Sequence, residues 1–234
     1  MDQEYSRSKE KLGLRVEPKL ITVDGVDGSG TSAIADELGK ELESRGLSVK
    51  RIHVPQAGQK AEQEILGDRE QLDQKTRDEW VNIGYFGVTR RVFMHEVAAA
   101  LGNFLVVIVT SSDVKNAAIA YAEGHPDQVR WVSSGSATAG IKPGFRVFIK
   151  TSKEIINKVM QERIRSGTKG KADPKDDSVA TRIRAFKETC DLIIEAEKEL
   201  NVKHETVFND WNLSQQEIAA DLAKKYLAIW DRAN

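Results

Sequence analysis

Residues 25–32 read Gly-Val-Asp-Gly-Ser-Gly-Thr-Ser. Gly25, Gly30 and Ser32 have the spacing of a G-x-x-x-x-G-K-[S/T] loop, with Gly28 adding flexibility. In such a loop successive backbone N–H groups surround a phosphate, and the helix that follows adds its positive N-terminal end. Lysine reaches the β- and γ-phosphates, and the hydroxyl after it ligates Mg²⁺. Here Thr31 stands in the lysine position, so the anion nest and the metal-ligating hydroxyl of Ser32 are kept while the mobile cation is absent. The plain alternative is a strand-to-helix turn whose glycines serve only tightness. The setting favours phosphate, because the loop follows an apolar run and opens a helical pattern.

Those flanking elements recur along the chain. "KLITVD" (19–24) predicts a buried strand, and Ile34, Ala35, Leu38 and Leu42 recur at helical spacing up to a stop at Gly46. "SVKRIHV" (48–54) predicts a second strand closed by Pro55, which completes a βαβ unit and asks for a parallel sheet. A long helical pattern runs from about Thr76 to Leu101. The continuous apolar run "FLVVIVT" (104–110) predicts a central strand covered on both faces. "FRVFIKT" (145–151) predicts a fourth strand, followed by a helix to Arg165 with Thr151 and Glu154 as its capping box. A helix over about 178–200, a strand over 204–209 and a helix capped by Ser214 and Glu217 complete the pattern. Five strands alternating with helices predict a doubly wound or three-layer α/β fold.

Length and composition bound the class. At 234 residues the chain fits one sizeable domain, and 40% hydrophobic with 30% charged residues excludes a disordered or membrane-embedded protein. A net charge of −1 gives no overall bias toward nucleic acid or anionic lipid, so neither nucleic acid nor membrane is an expected partner. The single cysteine, Cys190, cannot form an intramolecular disulfide and suits a cytoplasmic setting. Residues 1–17 are charged and aperiodic and are expected to be a loose leader to one domain over 18–234. The four histidines lack metal-ligand spacing and are assigned structural or surface roles. Ser133, Ser134 and Ser136 fall in "WVSSGSATAGIKPG", expected to be a flexible loop.

Over about residues 19–230, and sharply in short patches, the chain resembles the thymidylate kinases. "LITVDGVDGSGTSAIADEL" is similar to their opening strand, E-G-x-D-G-S-G-K-[S/T]-T loop and helix. The resemblance implies a three-layer α/β/α P-loop kinase fold with a five-stranded parallel sheet. It also implies phosphoryl transfer from ATP, with Mg²⁺, to a (deoxy)nucleoside monophosphate. It assigns the phosphates to the loop residues Gly25, Gly28, Ser29, Gly30, Thr31 and Ser32, the metal to Ser32, and a place near the acceptor's sugar to Asp27. "YFGVTRR" (85–91) matches the family segment in which Phe86 would stack on a base and Arg90 would contact the acceptor nucleotide. "AIAYAEG" (118–124) makes Tyr121 an acceptor-site candidate. The basic, glycine-containing segment at about 163–177 stands where the family's mobile lid belongs, making Arg165, Lys169 and Lys171 candidate catalytic cations, with Arg163 and Lys175 in the same segment.

Other patches depart from the family. His53-Val54-Pro55 replaces R-E-P, and Ser112-Asp113-Val114 replaces the D-R site, where a one-residue slip restores an aspartate as Asp113 but no arginine. Losing one well-placed electrostatic donor typically costs about 10²–10³ in rate. Lys115, Lys169 and Lys171 are the candidate replacements. Two functions follow as expectations: a nucleoside monophosphate kinase, or a catalytically degenerate module of the same fold that binds nucleotide or a partner. The long middle helix is a candidate surface for a homodimer.

Overall fold

The computed structural model describes residues 14–66, 84–166 and 176–233. Five strands, β1 (Arg15–Gly25), β2 (Val49–His53), β3 (Val106–Thr110), β4 (Ile141–Lys150) and β5 (Lys203–Phe208), form one sheet in the order β2-β3-β1-β4-β5. Every neighbouring pair is parallel, with Val23 opposite Thr110 and Gly25 opposite Ile149. Helices cover both faces, giving the three-layer α/β/α arrangement that strand–helix alternation predicts.

The side-chain period of two sorts the core. Ile21 and Val23 of β1, Val106 and Ile108 of β3, and Phe145, Val147 and Ile149 of β4 face helices α1 (Thr31–Ser44) and α9 (Gln215–Ala233). Four further helices cover the opposite face. Helix α4 begins with the helical backbone of 84–92, passes through a π-turn at Phe93–Val97 and ends over Ala98–Asn103. Helix α5 is Asp113–Ala122, α6 is Val129–Ser133 and α8 is Asp176–Glu197. Between β2 and α4 lie α2 (Val54–Ala57) and α3 (Gln59–Leu66), and α7 (Lys153–Arg165) follows β4. All five residues of β3 are buried, which explains its unbroken apolar run.

Several boundaries differ from expectation for local reasons. Residues 15–17 belong to β1 rather than to a loose leader, because they pair with Ile141–Pro143 and the Arg15 N–H donates to the Gly140 carbonyl at 2.8 Å. Residues 1–13 lie outside the described residues, as does the Thr76–Ile83 part of the helix expected from the sequence pattern. Pro55 does not simply close β2; it sits in the first turn of α2, where its missing N–H is harmless. The cap of α7 is Ser152, whose hydroxyl accepts from the Ile155 N–H at 3.4 Å, while Thr151 donates to the Asn209 carbonyl at 2.7 Å. Ser214 and Glu217 do form the reciprocal capping box of α9, at 2.8 and 3.2 Å. The stretch 131–144 is no flexible loop: it holds the end of α6, a short 3₁₀ turn at Ser136–Thr138 and the start of β4. No helix among the described residues is long and apolar enough to cross a membrane.

Candidate functional site

After β1 the chain leaves toward β2, and after β4 it leaves toward β5, so a crevice opens at the carboxyl ends of the central strands. A cleft of about 590 Å³ lies there. Its floor is the glycine loop and the start of α1: Gly25 to Gly28, then Gly30 to Ala33. Thr31, Ser32 and Ala33 open the helix, so their N–H groups have no intrahelical acceptor. Gly28 and Gly30 adopt φ of +89° and +86°, the left-handed region that lets the chain curl.

The loop is fastened from below. Ser29 Oγ and Thr31 Oγ1 share a buried hydrogen bond of 2.8 Å, so the hydroxyl in the lysine position is turned onto the loop itself. Both oxygens lie against Gly25: a Cβ there would collide with Ser29 Oγ, come to 2.6 Å of Thr31 Oγ1 and to 2.9 Å of the Ile149 carbonyl. Asn209, just beyond β5, donates through Nδ2 to the Ser29 carbonyl at 2.9 Å, and its own N–H donates to the Lys150 carbonyl at 2.8 Å. The Ser29 N–H closes a turn onto the Val26 carbonyl at 3.0 Å, so it is engaged within the loop rather than offered to an anion. Ser29 is therefore a brace of the loop, with its side chain buried.

The walls come from distant segments. Lys115 of α5 reaches across to Asp27, Nζ to Oδ1 at 2.8 Å. Arg163, Glu162 and Ser166 at the end of α7 line the other side. Ser111 and Trp211 also line the cleft, and both hold a positive φ (56° and 65°) that non-glycine residues seldom adopt. Such strain concentrates where the surroundings fix a functional geometry. Trp211 keeps 46% of its surface exposed and carries Lys158 Nζ 5.5 Å from its ring centroid. His53 lines the cleft at the end of β2 and bonds Thr110 Oγ1 through Nδ1 at 2.9 Å. Burial, followed by the charge of Lys115, lowers its pKa below the ordinary histidine value, which keeps the ring neutral at pH 7.

A buried polar network positions the floor against the Lys115 wall. On the α5–α8 side of the sheet, Arg146 of β4 is fully buried between two carboxylates. Its Nη1 and Nη2 donate to Asp113 at 3.1 and 3.3 Å, and its Nε and Nη2 donate to Glu197 at 2.8 and 2.9 Å. Glu197 also accepts from Lys142 at 2.8 Å and lies 3.1 Å from His204 Nε2, while Lys142 donates to the Val132 carbonyl as well. Burial pushes the Glu197 carboxyl up, but Arg146, His204 and Lys142 together outweigh it and hold it well below the usual range.

Asp24, which directly precedes the loop, accepts from the Ser112 N–H at 2.7 Å and lies 2.6 Å from Ser112 Oγ. Ser112 Oγ is also 2.8 Å from Asp113 Oδ1. One hydroxyl proton cannot serve two carboxylates, so the chain of bonds is complete when Asp24 is protonated and donates to Ser112, which donates to Asp113. Burial first, then the Asp113 charge, raises the Asp24 pKa to about 6. Asp113 is thus a buried partner of Arg146, not a cleft residue, and the D-R site is not restored at the surface.

The acceptor-side candidates fall elsewhere. Phe86 is 3% exposed and packs edge-on against Trp131 at 4.9 Å within the core, so it offers no face to a base in the cleft. Arg90 donates to the Ser136 carbonyl at 2.7 Å and does not line the cleft. Tyr121 packs beside the same core cluster as Phe86, and a hydrogen bond to Glu188 of α8 raises its pKa. Arg165 is exposed but absent from the cleft wall, because two residues along a helix turn a side chain to the opposite side from Arg163. Lys169 and Lys171 lie outside the described residues.

Of the expected loop residues, Gly25, Asp27, Gly28, Gly30, Thr31 and Ser32 all line the cleft, together with Lys115. His53, Ser111, Asn209 and Trp211 were not foreseen. His53 alone carried a signal, since it begins the His53-Val54-Pro55 segment that follows the second strand. No family model matches the chain, and no curated protein matches it at a significant level.

Proposed function

We propose that this protein binds the polyphosphate of a nucleoside triphosphate, as its Mg²⁺ complex, on the glycine loop. It is in this respect a thymidylate-kinase-like nucleotide-binding protein with degenerate motifs, working in a cytoplasmic setting. The observation that carries the proposal is the seating of Gly25, Gly28, Gly30 and the first turn of α1 on the floor of one cleft at the carboxyl edge of a parallel sheet. The donor set suits Mg²⁺ rather than a metal in a protein cage. Among the described residues no three His, Cys, Asp or Glu groups cluster to hold an ion. An exposed Ser32 hydroxyl lines the cleft, and Mg²⁺ is commonly held by one or two protein groups plus substrate phosphates. Ser32 would hold the ion, which when bound supplies charge neutralisation to the phosphate oxygens.

Phosphoryl transfer to a nucleoside monophosphate is the second reading. It is favoured by cations on both cleft walls, Lys115 and Arg163, because phosphoryl transfer needs positive charge to neutralise the transferring group. Against it, Phe86 and Arg90 do not face the cleft.

A thermal-shift screen with nucleoside mono- and triphosphates in Mg²⁺ tests the binding proposal. At 100 times its dissociation constant a ligand stabilises by about 2.7 kcal/mol, enough to raise Tm by several degrees. No shift with any triphosphate would remove the proposal. A coupled assay over a panel of monophosphate acceptors separates the two readings: turnover above that of a Gly30→Ala, Ser32→Ala double variant supports transfer, and its absence leaves binding alone.

A further inference from the structure

The glycine loop has no cation of its own, because Thr31 replaces lysine and its hydroxyl is bonded to Ser29. A polyphosphate nevertheless needs one close to the loop. Lys115 lines the cleft, its side chain is 20% exposed, and its Nζ is 2.8 Å from Asp27 Oδ1, so the ammonium group is already held over the loop. The stem that carries it is not free to wander. Ser112 is tied to Asp24 by two bonds of 2.7 and 2.6 Å, which pins the start of α5 against the end of β1. His53 lines the same cleft, where burial first and then the Lys115 charge lower its pKa.

We infer that Lys115 supplies the triphosphate-binding cation that position 31 lacks, with Asp27 as the counter-ion from which phosphate displaces it. The inference rests on the nucleotide-binding proposal. Binding exchanges one charge-assisted hydrogen bond, to carboxylate, for another, to a phosphate oxygen. The cation arrives from the helix after β3 instead of from the loop, so the same electrostatic task is met from a different place in the chain.

Two variants then move affinity in opposite directions. Lys115→Met weakens MgATP binding by about tenfold or more, the scale of one charge-assisted contact. Asp27→Asn tightens it, because the ammonium group is no longer held by a carboxylate and one repulsive charge leaves the cleft. Thr31→Lys introduced into the Lys115→Met protein restores most of the lost affinity, since it returns a cation to the loop position. Lys115→Arg retains most of the wild-type affinity.

Titration calorimetry of MgATP into these purified proteins is the test, with ligand-free thermal unfolding as the folding control. The ligand-free Tm is expected to change little on Lys115→Met, because a part-exposed ion pair stabilises weakly. Wild-type protein that fails to bind MgATP overturns the nucleotide-binding proposal itself. Wild-type binding with equal affinity in Lys115→Met overturns the role of Lys115 while leaving nucleotide binding in place. Failure of Thr31→Lys to restore affinity in the Lys115→Met background overturns the interchange of the two positions, and weaker binding by Asp27→Asn overturns its counter-ion role.

Discussion

Replacement of Arg146 by alanine is expected to destabilise the protein by about 3–5 kcal/mol, the cost of stranding buried charge. Asp113 and Glu197 would lose their shared cation with neither side chain accessible to water. Burial raises the cost of an unpaired carboxylate, and Lys142 compensates only Glu197. Removing all four buried charges together, in an Arg146→Met, Lys142→Met, Asp113→Leu, Glu197→Leu variant, is expected to recover a large part of the loss, because Lys142 is not left stranded without Glu197 and apolar replacements often match buried ion pairs. Urea unfolding at pH 7 measures both. A loss below about 1 kcal/mol for Arg146→Ala, the level of an exposed pair, would contradict the network's role. The consequence extends to the cleft, since Asp113 lies two residues before Lys115 and is linked through Ser112 to Asp24 at the root of the loop.

Asp24→Asn is expected to make the protein more stable at pH 8, by up to about 3 kcal/mol, and to flatten its pH dependence between about pH 4 and 6. The Asp24 carboxyl titrates near 6 in the fold against an unperturbed value of 3.8. Between those values the folded state binds more protons than the unfolded chain, so stability falls as pH rises through the window and stays at the lower level above it. At about 1.36 kcal/mol per unit, a shift of that size corresponds to about 3 kcal/mol. Asparagine reproduces the protonated carboxyl: its oxygen accepts the Ser112 N–H and its amide donates to Ser112 Oγ. Glu197 acts in the opposite sense, since a carboxyl held below its ordinary value loses its stabilising contribution as pH falls. Urea midpoints at pH 5 and pH 8 for both proteins test this, and parallel pH dependence in wild type and Asp24→Asn would refute the protonated-Asp24 arrangement.

Much of the fold was legible in local pattern. Apolar runs at 19–24, 104–110 and 145–151 became three adjacent central strands, and the Ser214–Glu217 box marked the start of α9. What local pattern could not give was which distant segments meet. Lys115 and Asp27 are 88 residues apart, and Asn209 bonds a loop residue 180 positions away. Arg146 had a faint signal, as a charged residue inside the apolar run "FRVFIKT", but its two carboxylate partners arrive from α5 and α8. Phe86 shows the converse limit. An aromatic residue four positions before an arginine matches a ligand-binding segment or a core helix equally well, and here Phe86 is buried in the core in a T-shaped pair with Trp131.

The most direct test of the central claim is a calorimetric titration of MgATP into wild-type and Gly25→Ala protein. The added methyl would lie within 2.9 Å of the Ile149 carbonyl and crowd the Ser29–Thr31 brace, so the loop must shift to admit it. A saturable heat for the wild type, abolished by Gly25→Ala, is the expected result. Saturable binding of equal affinity in both proteins, or no binding in the wild type, would contradict a phosphate site built on this loop.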